Sequence, residues 1–461
     1  MAEVLIKNGI LVTAEGERPA DIQLSGGLIS AIGPDLSPPA GAELLDAGGL
    51  LVMPGAVDAH THLDLSVGPA HVSDGWLAGA VAAAFGGNTS VIEHPGFGPE
   101  GCPLDYQLRQ YRAQAGEAAI DYGLHGVFQY WDPRLQAELA PLVAAGYSSF
   151  KAYLTYDGRL NDEGLLAALK ALGAAGGLMT VHAENHAIVS HLAAELGLSA
   201  PGRASSHPGS RPDYAEALAI ESAVALARAA GDAPLYIVHL STAAGLEKLR
   251  AARRAGQRVW AETCPQYLLL TDDLYRGDFE EALKYVMAPP LRRPEDVEAL
   301  WEGLLDGSIS TVATDHCSFS WREKKERAGG NVFRCPGGIP GVETRLPLLY
   351  SEGVLRRGMS RSRFVELVSS APARLFGLKN KGDLKVGHEA DILVFDPNMK
   401  KRVRAAGLHQ AVDYTPFENF ELRGWPKTVF LRGRKIVDGE RFTGEPGFGR
   451  FIARQPFSRQ N

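Results

Sequence analysis

Short apolar runs recur along this chain with helical stretches between them, and nearly every run stops at a residue able to do chemistry. The runs "VMPGAVDAHTH", "NTSVIEHP", "IDYGLHGVFQ", "SSFKAYL", "LMTVHAEN", "PLYIVHLS", "RVWAETCP" and "STVATDHC" have the length and texture of buried strands. Ala- and Leu-rich segments such as "LNDEGLLAALKALGAAG" and "YAEALAIESAVALARAAG" separate most of them. Eight alternating βα units predict a (β/α)8 TIM-type barrel, with an open doubly wound sheet as the alternative because periodicity does not show closure. The ends have a different texture. "VLIKNGILVT" and "DIQLSGGLISAIG" near the start, and "ADILVFDP" and "KTVFLRGRKIVDG" near the finish, read as hairpins. We expect residues 1–54 and 378–461 to form one small β-sandwich-like domain and residues 55–377 the barrel.

The polar residues ending the runs are His60 and His62, Glu93 and His94, Lys151, His182, His239, Glu262, and Asp315 with His316. The C-terminal ends of barrel strands converge on one mouth, so these side chains are expected to meet. His60 and His62 lie two apart in an extended segment and share a face. Imidazoles and a carboxylate suit zinc and its neighbours, and two ions roughly 3.5–4 Å apart can share a bridging hydroxide. His60, His62, Lys151, His182, His239 and Asp315 are the expected ligands of two divalent ions, zinc first and manganese second. A protonated Lys151 would repel both ions. Desolvated and near cations it loses its proton, and the neutral amine can take up carbon dioxide to become an N6-carboxylated, anionic bridge.

Composition narrows the field. The chain has 461 residues, 45% hydrophobic and 22% charged, with a formal net charge of −7 and no basic run. Nucleic acid is not expected as a partner, nor is a membrane, since the start "AEVLIKNGILV" has neither a basic n-region nor a long apolar stretch. Cys102, Cys264, Cys317 and Cys335 are scattered, which fits a reducing cytoplasm; Cys317 reads as a small core residue. His186 and His191 read as helix-surface residues, His316 as a loop organiser, and "WREKKERAGG" as a solvated helix followed by a loop. Glu93 and His94 face the same mouth.

The motifs "GAVDAHTHLD", "SFKAYLTY", "VHAEN", "VHLSTAAGLE", "ETCPQYLLLT", "APPLR", "TDHC" and "GVETRLPLLYSEGV" follow in order over nearly the whole chain. Together they resemble the cyclic amidohydrolases of the dihydropyrimidinase and D-hydantoinase family. The resemblance implies a metal-dependent barrel with a carboxylated lysine, a cyclic ureide or imide as substrate, an N-carbamoyl amino acid as product, and a symmetric homo-oligomer, a tetramer or dimer. It also assigns roles: Tyr156 steadies the developing oxyanion, Asp315 moves the proton, and backbone at Ala288 and Gly337 reads the ring amide. Ala288 and Gly337 stand where the family usually has serine and asparagine. "HTHLD" carries Asp64 where dihydroorotases place an arginine, and "ETCPQYL" carries Gln266 where allantoinases usually have histidine. An allantoinase or another cyclic-amide hydrolase is the nearest alternative. A non-catalytic scaffold of this fold is the more distant one, since such relatives typically lose metal ligands and this chain keeps them.

Overall fold

In a computed structural model describing residues 3–457, all eight expected barrel strands form. They are Ala56–Thr61, Asn88–Glu93, Asp121–Leu124 continued by Gly126–Phe128, Ser149–Tyr153, Leu178–His182, Leu235–Ile237, Val259–Thr263 and Thr311–Val312. Each pairs in parallel with the next. The circle closes where Thr61 bridges His316, with His62 N donating to His316 O (2.8 Å) and Asp315 N to His60 O (3.0 Å). The bonds that close the barrel therefore also bring three site residues together. The third strand is interrupted at His125, whose ring turns into the barrel, donating from Nε2 to Ala59 O (3.0 Å) and meeting Ser149 Oγ with Nδ1 (2.7 Å).

The two chain ends build a nine-stranded sheet. Its seam is Leu51–Pro54, parallel to Val4–Thr13 on one side and antiparallel to Ile392–Arg402 on the other. Val4, Ile6, Ile22, Val52, Ile392, Val394 and Phe430 fill its core. The run "VMPGAVDAHTH", read as one strand, is two. Gly55 divides it: a Cβ there would sit 2.3 Å from Thr89 Oγ1, so only glycine lets the chain pass from sheet to barrel.

Two expectations need correction. Residues 449–457 were assigned to the small domain, yet they leave its sheet and lace across the barrel, through Ile452 N to Tyr122 O (2.7 Å), Arg454 N to Gly146 O (3.1 Å) and Phe457 N to Gly176 O (2.7 Å). Residues 1–2 and 458–461 of that assignment lie outside the described residues. The helix Trp321–Ala328 is not wholly solvated. Lys324 is fully buried in it, its ammonium donating to Leu283 O (3.1 Å) and Val286 O (2.8 Å), because the helix turns this one long side chain inward to carbonyls that can each accept a second hydrogen bond. Among the described residues no helix is long and apolar enough to cross a membrane.

Sheet and barrel are tied by a buried ion cluster. Lys381 Nζ lies 2.9 Å from Asp121 Oδ2, 2.7 Å from Glu389 Oε2 and 2.5 Å from Asp391 Oδ2, and Arg432 caps Asp121. Asp121, Glu389 and Asp391 come close enough together to hold a cation, and the lysine already supplies one.

Candidate active site

His60 ends the first barrel strand and His62 follows it, their Nε2 atoms 3.3 Å apart. Asp315 Oδ1 lies 3.0 Å from the first and 3.2 Å from the second. On the far side, His182 Nδ1 and His239 Nε2 are 2.9 Å apart. Lys151 is buried between the two groups, Nζ 3.5 Å from His60 Nε2. The six residues singled out from the sequence thus converge as a triad, a pair and a lysine joining them. His60, His62 and Asp315 form a candidate metal-binding group outright.

Further carboxylates set the direction of these imidazoles. Glu262 takes His60 Nδ1, which leaves Nε2 with its lone pair toward His62 and Asp315. Glu184 Oε2 takes His182 Nε2 at 2.8 Å, leaving Nδ1 free toward His239. Tyr236 O–H donates to Glu262 at 2.9 Å and Arg211 pairs with Glu184. Burial would raise the Glu184 carboxyl, but Arg211 and His182 outweigh it and hold it at about 2. Asp315 is likewise opposed by burial, yet His60 and His62 keep its carboxyl well below the usual range. Burial, only partly offset by Asp315 and Glu262, brings Lys151 down to about 8.

The donor set fits metal. His182 Nδ1 and His239 Nε2 face each other with only one proton between them, and His239 Nδ1 is buried with no hydrogen-bond partner among the described residues. Two imidazoles held this way lack a purpose unless their lone pairs share an ion. Backbone strain marks the same residues: Tyr156, His239 and Asp315 all have positive φ, at 75°, 40° and 54°. Non-glycine residues seldom adopt that region, and strain there collects at functional sites.

The profile of the Amidohydrolase family matches residues 51–436, most of the chain. The chain belongs to that family. A D-phenylhydantoinase of Escherichia coli O81 (strain ED1a) is 46% identical over 459 residues, 98% of each protein. The dihydropyrimidinase of Brevibacillus agri NCHU1002 superposes with a TM-score of 0.96 at 36% identity, covering 99% of this chain and 100% of that one. An L-hydantoinase from Arthrobacter aurescens reaches 0.89 at 32%, covering 98% and 100%. The resemblance read from the motifs holds, as do the barrel with its added β domain and the assignment as a cyclic amidohydrolase. D- and L-named enzymes share this fold, so the fold alone does not set handedness.

Around this amidohydrolase centre the other candidates take distinct places. Tyr156 lies at the mouth, 36% exposed, its ring 5.3 Å from that of His182 and 5.4 Å from the Arg211 guanidinium. The loops carrying Ala288 and Gly337 abut: Gly338 N donates to Val286 O at 3.0 Å. His316 joins Asp74 (2.6 Å) to Gly341 N (3.0 Å), organising loops. Cys317 is buried in a small cluster with Phe319. His191 is exposed on its helix and His186 half-buried. Glu184 and Arg211 were missed. Glu184 had a signal, two residues beyond His182 in "VHAEN"; Arg211 sits in a loop with none.

Glu93 shapes the loop after His62. Its Oε1 accepts from Leu63 N (2.6 Å) and Asp64 N (3.3 Å), and its Oε2 lies 2.7 Å from Thr61 Oγ1. Burial raises this carboxyl to about 8, so near neutral pH it carries a proton that Thr61 can accept. Glu93→Gln, with an amide N–H in the place of that proton, is expected to keep turnover within a few-fold. Glu93→Ala leaves two buried N–H groups without an acceptor and is expected to cost about 1–3 kcal/mol of stability. Equal damage in the two variants, by thermal melting and turnover, would contradict the protonated reading.

Proposed function

We propose that this enzyme hydrolyses the cyclic amide bond of a dihydropyrimidine or a 5-substituted hydantoin, giving an N-carbamoyl amino acid. The observation that carries the reading is the placement of Lys151 between the His60–His62–Asp315 triad and the His182–His239 pair. In this reading His60, His62, His182, His239, Asp315 and an N6-carboxylated Lys151 hold two divalent ions, zinc or manganese. Burial of Lys151 with no ion-pair partner among the described residues supports its carboxylation: the ammonium is disfavoured, and a carbamate would supply the missing anion. When bound, the ions polarise the scissile carbonyl and lower the pKa of the attacking water.

The chain's own groups do the rest. Asp315 keeps Oδ1 toward the imidazoles, so Oδ2 is the atom that takes the proton from water and passes it to the leaving ring nitrogen. Water oxygen bonds to the carbonyl carbon, the ring C–N bond breaks, and the nitrogen leaves as N–H. Tyr156 O–H donates to the oxyanion that develops on the carbonyl. The backbones at Ala288 and Gly337 hold the ring amide. Dihydrouracil would give an N-carbamoyl β-amino acid and a hydantoin an N-carbamoyl α-amino acid. In this reading the enzyme works in the cytoplasm as a homo-oligomer, a tetramer or dimer.

The test is ring opening by protein reconstituted with zinc or manganese and bicarbonate, across dihydrouracil, a 5-aryl and a 5-alkyl hydantoin, allantoin and dihydroorotate. Turnover of dihydrouracil or a hydantoin supports the reading. Turnover of allantoin alone moves the enzyme to the allantoinase alternative, and protein that takes up no metal returns the scaffold. On the accepted substrate Tyr156→Phe is expected to lower kcat by roughly 10²–10³-fold with little change in KM; an unchanged kcat would remove Tyr156 from the reaction.

A further inference from the structure

The closed end of the barrel holds a charge that the reaction does not use. Arg454, in the C-terminal stretch that laces across the barrel, is 2% exposed. Its Nη1 donates to Ser149 Oγ at 2.7 Å and its Nη2 to Leu124 O at 2.5 Å, while Nε has no partner among the described residues. Burial, with no carboxylate beside it among the described residues, draws its pKa down to about 9. A guanidinium buried with no carboxylate among the described residues is disfavoured, so a purely space-filling role would be served better by an apolar side chain.

The guanidinium anchors one end of a run of hydrogen bonds. Ser149 has a single hydroxyl proton. Ala59 O can only accept, so His125 keeps its proton on Nε2 and its Nδ1 accepts the Ser149 proton, 2.7 Å away, while Arg454 donates to the Ser149 oxygen. The Nε2 proton is donated to Ala59 O at 3.0 Å, on the residue immediately before His60. The His125 ring stacks face to face on His94, centroids 3.8 Å apart and planes 4° apart. His94 in turn lies 4.2 Å from the ring of His60, edge to face. Both ring nitrogens of His94 lack partners among the described residues, so packing between these rings is what orients it. An unbroken column thus runs from Arg454 through Ser149, His125 and His94 to His60.

We propose that Arg454 is a positioning residue for the metal centre, fixing the Ser149 hydroxyl and with it the ring of His125, and through them the seat of His60. The inference rests on the reading of His60 as a metal ligand. The experiment compares cobalt(II)-reconstituted wild type with Arg454→Met, Ser149→Ala and the double variant. Four quantities are read: the visible cobalt absorption, the rate of cobalt loss to a chelator, kcat against KM, and the melting temperature.

In Arg454→Met the melting temperature should equal or exceed that of wild type, because an apolar chain replaces an uncompensated buried charge. The cobalt bands should shift, cobalt loss should quicken about 10-fold or more, and kcat should fall by about 10–100-fold with KM within about twofold, as for outer partners of metal ligands. Ser149→Ala should do the same, and the double variant should be no worse than either single change, since one path is cut twice. Wild-type cobalt bands and kcat in Arg454→Met, at whatever melting temperature, overturn the proposal. If Arg454→Met fails to fold, Ser149→Ala decides by the same bands and kcat. Wild-type protein that binds no cobalt overturns the metal-centre reading and this proposal together, whereas loaded wild type with unaffected variants overturns this proposal alone.

Discussion

Lys151→Ala is expected to lose turnover by roughly a thousandfold or more and to retain less metal after gel filtration than wild type. Among the described residues the Lys151 ammonium meets no carboxylate, and its hydrogen-bonding neighbour is an imidazole nitrogen, His60 Nε2, at 3.5 Å. If a carbamate forms there, deleting it removes a bridging anion and leaves the charge of two dications poorly balanced. Metal assistance contributes several kcal/mol to such reactions, and about 4 kcal/mol corresponds to a thousandfold in rate. Two measurements check this: metal per chain by elemental analysis, and kcat with and without added bicarbonate. Wild type should gain turnover with bicarbonate and the variant should not. A variant that keeps full metal and turnover would sink the bridging role while leaving the histidine ligands standing.

The second large effect concerns stability. Lys381→Met is expected to cost about 3–5 kcal/mol, read from urea unfolding, because it strands Asp391 in the interior without its cation and leaves Asp121 with Arg432 but without the lysine. Burial works against the Lys381 ammonium, but Asp391, Asp121 and Glu389 outweigh burial and raise its pKa. A lysine whose pKa is raised on folding contributes its full stabilisation below the unfolded value, near 10.4, and loses it as pH climbs through the folded one. The gap between wild type and variant should therefore be flat from neutral pH to about 10 and narrow only in stronger alkali. Adding Asp391→Asn to Lys381→Met should recover part of the loss, since one stranded charge is removed. No recovery, and no loss in the single variant, would mean that the cluster does not hold sheet to barrel.

The strands and most of the centre were legible because a barrel imposes one rule on every repeat: an apolar run must end in whatever faces the mouth. His60, His62, Lys151, His182, His239 and Asp315 all obey it. Closure was not legible, since the bridge between Thr61 and His316 joins residues far apart in sequence and leaves no local pattern. Gly55 looked like one residue in a continuous strand, and its role appears only when Thr89 is set beside it. Lys324 was read with its charged neighbours as solvated because a helical charge run does not say which residue turns inward. Arg211 and Arg454 were invisible for the same reason. Each acts through a partner, Glu184 or Ser149, drawn from a distant segment.

The seam of the nine-stranded sheet has a consequence for how the molecule is made. Leu51–Pro54 needs Ile392–Arg402 as its antiparallel neighbour, and more than three hundred residues separate the two. At a ribosomal pace of about 5–20 residues per second, the first hairpins wait tens of seconds with an open apolar edge while the whole barrel is synthesised. Strand edges left open in this way attract other chains. Nascent chains on neighbouring ribosomes of one messenger would therefore be most adhesive at their first fifty residues, and the last eighty would release them from that state.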